Sequence, residues 1–311
     1  MLNSDEARIC DVTLMRSTRM ESHDKAAHDE ARFANPFDLG FDLAIAPVLE
    51  EHGRMLYEAS RPCGVQFNPT PQFGFAYAFV RTEPPRDRLY TWDPDNRLRT
   101  AIALSRLVHP TSLGWKFGAR VVGDLDSPHQ CQIIPAPIGE FGTVAWVADP
   151  SRDWLTPAHA STLRELYGVF FAPGFERPSR VSRAMWFHEY ASRCAELDAR
   201  CPFVVSGLEA LINTGSHRAT AQFVARIRSL GDAVGAPRIS GKDANAMYTL
   251  RSSLVHGQRV DAGSSESRRL YARMEDVLRC AVRRAILEPD FGTVFESEEA
   301  INSRFPMTQS T

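Results

Sequence analysis

The feature that most constrains this chain is a run of amphipathic segments that starts near residue 154. "TPAHASTLRELYGVFF", "PSRVSRAMWFHEYASRCAEL", "CPFVVSGLEALINTG", "SHRATAQFVARIRSLGDAVG", "SGKDANAMYTLRSSLVHG" and "SSESRRLYARMEDVLRCAVRRAIL" follow one another across short joints containing Pro and Gly. Ala219, Phe223, Ile227 and Leu230 mark one face of the fourth segment, and Leu270, Met274, Val277, Leu278, Ala281 and Val282 one face of the last. That spacing is helical. Thr156 before Pro157, Ser240 at a helix start, and Gly215 and Gly257 at helix ends supply boundaries. Helices that are apolar on one side must bury those sides against each other, and short connections make neighbours antiparallel. Residues 154–290 are therefore expected to form an all-α up-and-down bundle, with 291–311 a C-terminal tail.

The first half is punctuated differently. Between 35 and 153 the apolar residues come in short runs, "GVQF", "FGFAYAFV", "WKFGARVV", "QCQII" and "TVAWVA", which predict strands, with one helix over "DNRLRTAIALSRLV". The fold class expected is α+β, a mixed β-rich N-terminal domain followed by the bundle. Residues 1–34 are polar and poor in large apolar groups, which predicts a flexible arm or a frayed helix. Within "FGFAYAFV", Phe73, Phe75, Tyr77 and Phe79 alternate with small residues. Such an aromatic face can stack nucleobases, but filling a core is the more ordinary use.

Composition excludes some classes. The 311 residues are 43% hydrophobic and 24% charged, enough for two domains with cores. No apolar run approaches a membrane span and the start lacks a secretory pattern, so a cytoplasmic protein is expected. Cys10, Cys63, Cys131, Cys194, Cys201 and Cys280 form no CxxC pair and are expected to be reduced thiols. The net charge of −2 divides into +6 over residues 178–288 and −8 over the rest, which allows a polyanion on the basic side.

Phosphate loops, dinucleotide fingerprints, HExxH and GxSxG are all missing from the sequence. His188-Glu189 has no second His at metal spacing, so His188 is expected to be half-buried on a helix. His23 and His28 miss the i,i+4 spacing, and Asp124, Asp126 and His129 read as a polar turn. No metal or cofactor is expected.

What is left is "YTLRSSLVHG". Leu250, Leu254 and Val255 look like a buried stripe, yet Arg251 interrupts it and His256 closes it before Gly257. One reading is a C-cap, since Gly takes the left-handed position and a basic group complements the negative helix end. The other is a site. Histidine can give and take a proton near neutrality, arginine presents a planar fork that matches phosphate oxygens, and Ser252 and Ser253 add hydroxyls. Five residues separate the two side chains by about 140° on an ideal helix, so they do not share one face.

These residues resemble the signature of the HEPN superfamily, particularly its Apea-like branch, in which Arg and His stand four to six residues apart at the end of a bundle helix. "FVVSGLEALINTG" resembles the branch's LEAL helix, and "FVARIRSL" its next helix with a central Arg. The resemblance covers roughly 160–288, about two-fifths of the chain. It implies a homodimer through the motif helices, in which the Arg and His of both copies line one basic cleft. It further implies a metal-independent RNA endonuclease of stress response or phage defence, acting by 2′-hydroxyl attack, with Arg251 and His256 catalytic and Ser252, Ser253 and Gly257 supporting. Glu209, Arg226 and Tyr248 fall at the cleft or in the frame that holds it. An antitoxin-like or sensor partner fits the same implication. Active members often carry Asn, Asp or His after the Arg, where this chain has Ser252. Family members that bind RNA or nucleotide without cutting, or that serve only to dimerise, are the alternative.

Overall fold

A computed structural model of the chain describes residues 9–16, 33, 35–47, 55, 75–82, 84, 97–110, 114–123, 131–136, 155–194, 196–215, 217–258, 260–261 and 263–307. It is an α+β protein, with an antiparallel sheet in the N-terminal part and helices in the C-terminal part. The chain divides into two compact units. The first takes in the sheet and residues 149–168, and the second runs from Val169 onward and includes Arg106–Val108.

In the first unit, β1 (Ile9–Arg16), β2 (Phe37–Gly40), β3 (Leu43–Ala46), β4 (Phe75–Arg81), β5 (Gly114–Val122) and β6 (Gln132–Ala136) are ordered β2-β3-β4-β1-β5-β6. The predicted helix is α1 (Arg97–Val108), and α2 (Pro157–Phe170) follows the sheet. Strand β1 corrects the expectation of a flexible arm, because it lies inside the sheet between β4 and β5. Its Cys10 and Val12 join Ala78, Val80, Ala119 and Val121 in one buried face. Asp11 points the other way and is buried too, held by Arg120 through Nε–H to Oδ1 at 2.8 Å and Nη2–H to Oδ2 at 3.0 Å. A paired carboxylate can be buried where a lone one cannot. The partner stands 109 residues along the chain, so no local pattern announces this strand.

The register places Tyr77 and Phe79 on the Asp11 face, and both rings are fully buried. Tyr77 meets Phe33 and Phe79 edge-on at 5.7 and 5.6 Å. Tyr77 and Phe79, the described part of the aromatic stripe, therefore fill a core here and offer no stacking platform. The hairpin from β2 to β3 turns through Phe41 and Asp42, both at positive φ (50° and 64°), without the Gly or Asn such a turn usually shows. Asp42 is held there by Arg81 and Arg97, at 3.0 and 2.5 Å.

The second unit contains α3 (Ser179–Arg193), α4 (Leu197–Ile212), α5 (Ala219–Ala233), α6 (Gly241–Val255), α7 (Ser265–Leu287), α8 (Pro289–Gly292), a 3-10 turn (Thr293–Phe295) and α9 (Glu298–Arg304). The longest, α7, packs against α3, α4, α5, α6 and α8, and its predicted stripe from Leu270 to Val282 is buried. Contact with α4 is close enough that a Cβ on Gly207 would lie 2.8 Å from Leu278 Cδ2. Helix α4 starts at Leu197, earlier than Cys201-Pro202 suggests, with Pro202 inside it. The segment predicted as a tail is folded: Phe291, Phe295, Ile301 and Phe305 are buried.

Buried polar groups stitch this unit together. Arg200 donates to the Ala191 carbonyl, pairs with Glu275 and lies over the Tyr271 ring. His188 is fully buried, deeper than its half-exposed expectation, and burial with the Arg279 charge nearby lowers its pKa to about 3. Cys10, Cys131, Cys194, Cys201 and Cys280 are free thiols, and burial pushes Cys201 up to about 12. Cys63, His23, His28, Phe73, Asp124, Asp126, His129, "GVQF" and "TVAWVA" lie outside the described residues. Among the described residues no helix is long and apolar enough to cross a membrane.

Candidate active site at the end of α6

Helix α6 begins where Ser240 Oγ accepts the Asp243 amide N–H at 3.0 Å. Asp243 in turn receives Arg269 and Arg273 of α7; burial raises its carboxyl, but the Ser240 bond and the two arginines outweigh that and leave it below the usual range. Ala244, Met247 and Leu250 anchor the inner face. The last turn then leaves the core. Leu254 is half-buried, Val255 is 51% exposed and His256 is exposed, so the expected stripe ends at Leu250.

The helix closes with its own backbone. Gly257 has φ +68°, its N–H reaches the Leu254 carbonyl at 3.2 Å, and the Gln258 N–H reaches the Ser253 carbonyl at 2.9 Å. This is the glycine-centred pair of bonds that satisfies terminal carbonyls. The His256 imidazole takes no part in it, so capping accounts for Gly257 and leaves the side chain free for another task.

Arg251 turns inward from that turn. Its Nη2 lies 3.4 Å from Glu209 Oε2 on α4, and its guanidinium lies 5.9 Å from the Tyr248 ring. Tyr248 hydrogen-bonds Glu209 and packs on Phe223 with centroids 5.4 Å apart. Burial raises the Glu209 carboxyl, and Arg251 and Tyr248 pull it back. The contact with Glu209 is long, and Arg251 Nε is buried with no hydrogen-bond partner among the described residues. That leaves a part-exposed cation held by one long contact, a group that a phosphate or carboxylate can engage through its exposed edge.

The predicted residues do not all meet. Arg251, Glu209 and Tyr248 form one cluster. His256, with Ser252 and Ser253 on the same terminal turn, makes no hydrogen bond or ion pair to Arg251 within the chain. Arg226 belongs to the frame and not to a cleft: it is 2% exposed, and it donates to Phe305 O, Ile212 O, Thr214 Oγ1, Gln222 Oε1 and Asn302 Oδ1.

Beside Glu209 the structure opens a groove of about 840 Å³, which the sequence reading misses. It is lined by Arg180, Arg183, Trp186, Phe187 and Ser206 as well as Glu209. The signal was present in "RAMWFHEY", where Arg183, Trp186, Phe187 and Tyr190 recur at helical spacing. A scan of protein-family models gives no match to this chain, and neither curated proteins nor solved structures yield a similar one.

Proposed function

We propose that the chain is a HEPN-type RNA endonuclease that needs no metal, with Arg251 and His256 as its catalytic pair. The observation that carries this reading is the unequal use of arginines. Arg200 and Arg226 are buried and bonded to fixed partners, whereas Arg251 keeps only a long contact to Glu209 and an unbonded Nε, one turn of helix before the exposed His256. In the proposed reaction the His256 imidazole takes the proton of a ribose 2′-hydroxyl, and the resulting oxygen attacks the adjacent phosphorus. Arg251 neutralises the charge that collects on the phosphorane oxygens, and a 2′,3′-cyclic phosphate forms as the 5′-oxygen departs with a proton from water; the imidazolium then returns its own proton to solvent.

The angular offset of about 140° between the two side chains supports a composite site. Two copies related by a two-fold axis bring the Arg251 of one toward the His256 of the other. Val255, apolar and half-exposed on the same turn, is a residue that such pairing would cover.

The test is incubation of mixed RNA with the protein in chelator, beside an Arg251→Ala, His256→Ala double variant. Cleavage by the parent and none by the variant is expected, and equal survival of RNA in both sinks the nuclease. Ser252 after the arginine favours a second reading, RNA binding without cutting. Salt-sensitive retention of intact RNA identifies that case.

A further inference from the structure

Helix α3 has two opposite faces, and only one of them is explained by the core. Val181, Ala184, Met185, His188, Ala191 and Ser192 point inward. Arg183, Trp186, Phe187 and Tyr190 project from the other side, at i, i+3, i+4 and i+7. Trp186 is 51% exposed and Tyr190 37%, although these are among the largest apolar side chains available for burial.

The rings are organised among themselves. Trp186 lies 4.3 Å from Tyr190 at a 45° tilt and 5.1 Å from Phe187, nearly edge-on. Phe203 of α4 supports Phe187 and Tyr190 from behind, at 6.4 and 5.9 Å. The indole is thus propped by neighbours while half its surface stays in water. Of the charged groups that line the groove, Arg180 is paired with Glu298 at 3.5 Å and Glu209 with Arg251, which leaves Arg183 as the cation without a carboxylate partner among the described residues. Arg180 is held by the carbonyls of Ala210 and Asn213, at 3.0 and 2.8 Å, so one wall is rigid.

We infer that this groove is a nucleobase subsite for single-stranded RNA, in which a base stacks on Trp186 and the adjoining phosphates meet Arg183 and Arg251. The inference rests on the RNA reading of the α6 end and adds the strand's conformation and its seat. Aromatic rings beside guanidinium groups suit an unpaired strand, because every base has a stacking face and every linkage a charge. A duplex keeps its bases from such a wall. Glu209 is shared between the groove and the Arg251 cluster, so the groove leads to the proposed catalytic end. A second copy of the chain would also cover apolar rings, but it would have to bring acidic groups to Arg183.

Binding is measured by fluorescence anisotropy in the His256→Ala background, with labelled oligoadenylate and an abasic strand of equal length. Trp186→Ala is expected to weaken oligoadenylate about tenfold, with Trp186→Phe retaining most of the affinity. The abasic strand should be indifferent to both changes. Arg183→Ala should weaken both strands and reduce the salt slope by about one. An unchanged thermal midpoint for Trp186→Ala confirms that the variant is folded. The proposal is overturned if the parent does not bind oligoadenylate, or if Trp186→Ala binds both strands as the parent does. A shift of Trp186→Ala from dimer to monomer in sedimentation, with RNA affinity intact, overturns it in favour of a self-association face. Trp186-dependent binding by a chain that never cuts RNA sinks the nuclease and keeps the groove. Cutting that ignores Trp186 does the reverse.

Discussion

At the C-terminus of α4 the carbonyls of Ala210, Ile212 and Asn213 are met by arginine side chains, Arg180 and Arg226. At the C-terminus of α6 the carbonyls are met by backbone N–H groups around Gly257. Both ends are satisfied, as helix ends must be. The difference lies in what remains. Arg226 has hydrogen-bond partners at Nε, Nη1 and Nη2, and none of them is a carboxylate, so the charge is dispersed over neutral oxygens inside the unit. Arg251 is not needed for the cap and keeps Nε unbonded. Two of the unit's histidines divide in the same way, His188 sealed inside and His256 at the surface. A basic residue within an apolar helical run therefore has two distinct physical meanings, and they are told apart by whether its donors are already committed.

The sharpest way to break this comparison is to remove each arginine in turn. On the proposed function, Arg251→Ala should lower RNA cleavage by about 10²–10³-fold, the loss typical of one donor to a developing oxyanion. Its stability should change by only about 1 kcal/mol or less, because its ion pair is long and part-exposed. Arg226→Ala should do the opposite first: it strands the Ile212 and Phe305 carbonyls and the Asn302 side chain, and it should destabilise by about 3–5 kcal/mol in urea unfolding. If Arg226→Ala unfolds no more readily than Arg251→Ala, the division between frame and site fails.

Much of this was legible in the sequence, and the exceptions share a cause. Helices α3 to α7 of the second unit follow from local spacing, and the inner face of α7 was fully expected. The end of α6 was expected as well, although the run Leu250, Leu254, Val255 suggested a stripe that the last turn does not bury. Strand β1 and the hairpin at Phe41-Asp42 were missed because their stabilising partners are remote: Arg120 for Asp11, and Arg81 and Arg97 for Asp42. The fold of 291–305 was missed because its aromatic anchors Phe291, Phe295 and Phe305 are separated by polar residues and meet one another only once the segment is folded. "FVARIRSL" showed an arginine at position 226 but not its use, since its partners come from residues 212, 214, 222, 302 and 305.

The two histidines sharpen the contrast through pH. Folded His188 stays neutral down to about pH 3, whereas the unfolded chain takes up that proton near 6.5. The unfolded state then binds more protons across that window, so this group's contribution is full above pH 6.5 and is lost as pH falls, by at most about 1.4 kcal/mol per pH unit. Glu209 and Glu275, raised by burial, act with the opposite sign just above their ordinary range, so the histidine must be isolated by difference. Urea unfolding of wild type and His188→Gln at pH 7, 6 and 5 should show the variant's deficit shrinking as pH falls. A deficit independent of pH would mean that folded His188 takes up its proton over the same range as the unfolded chain does.

The smallest effect expected separates the cap from the site at α6. Gly257 sits at φ +68° with open space where a Cβ would be, so Ala meets no neighbour and suffers only the left-handed backbone. Gly257→Ala should therefore reduce stability by about 1 kcal/mol, and Gly257→Asn by less, because Asn tolerates that conformation. His256→Gln, by contrast, should leave thermal stability within about 0.5 kcal/mol, since the imidazole lies outside the cap and at the surface. A stability loss at His256 equal to that at Gly257 would return the histidine to the cap. Loss at Gly257 alone keeps the two neighbours distinct, one shaping the end of α6 and the other exposed by it.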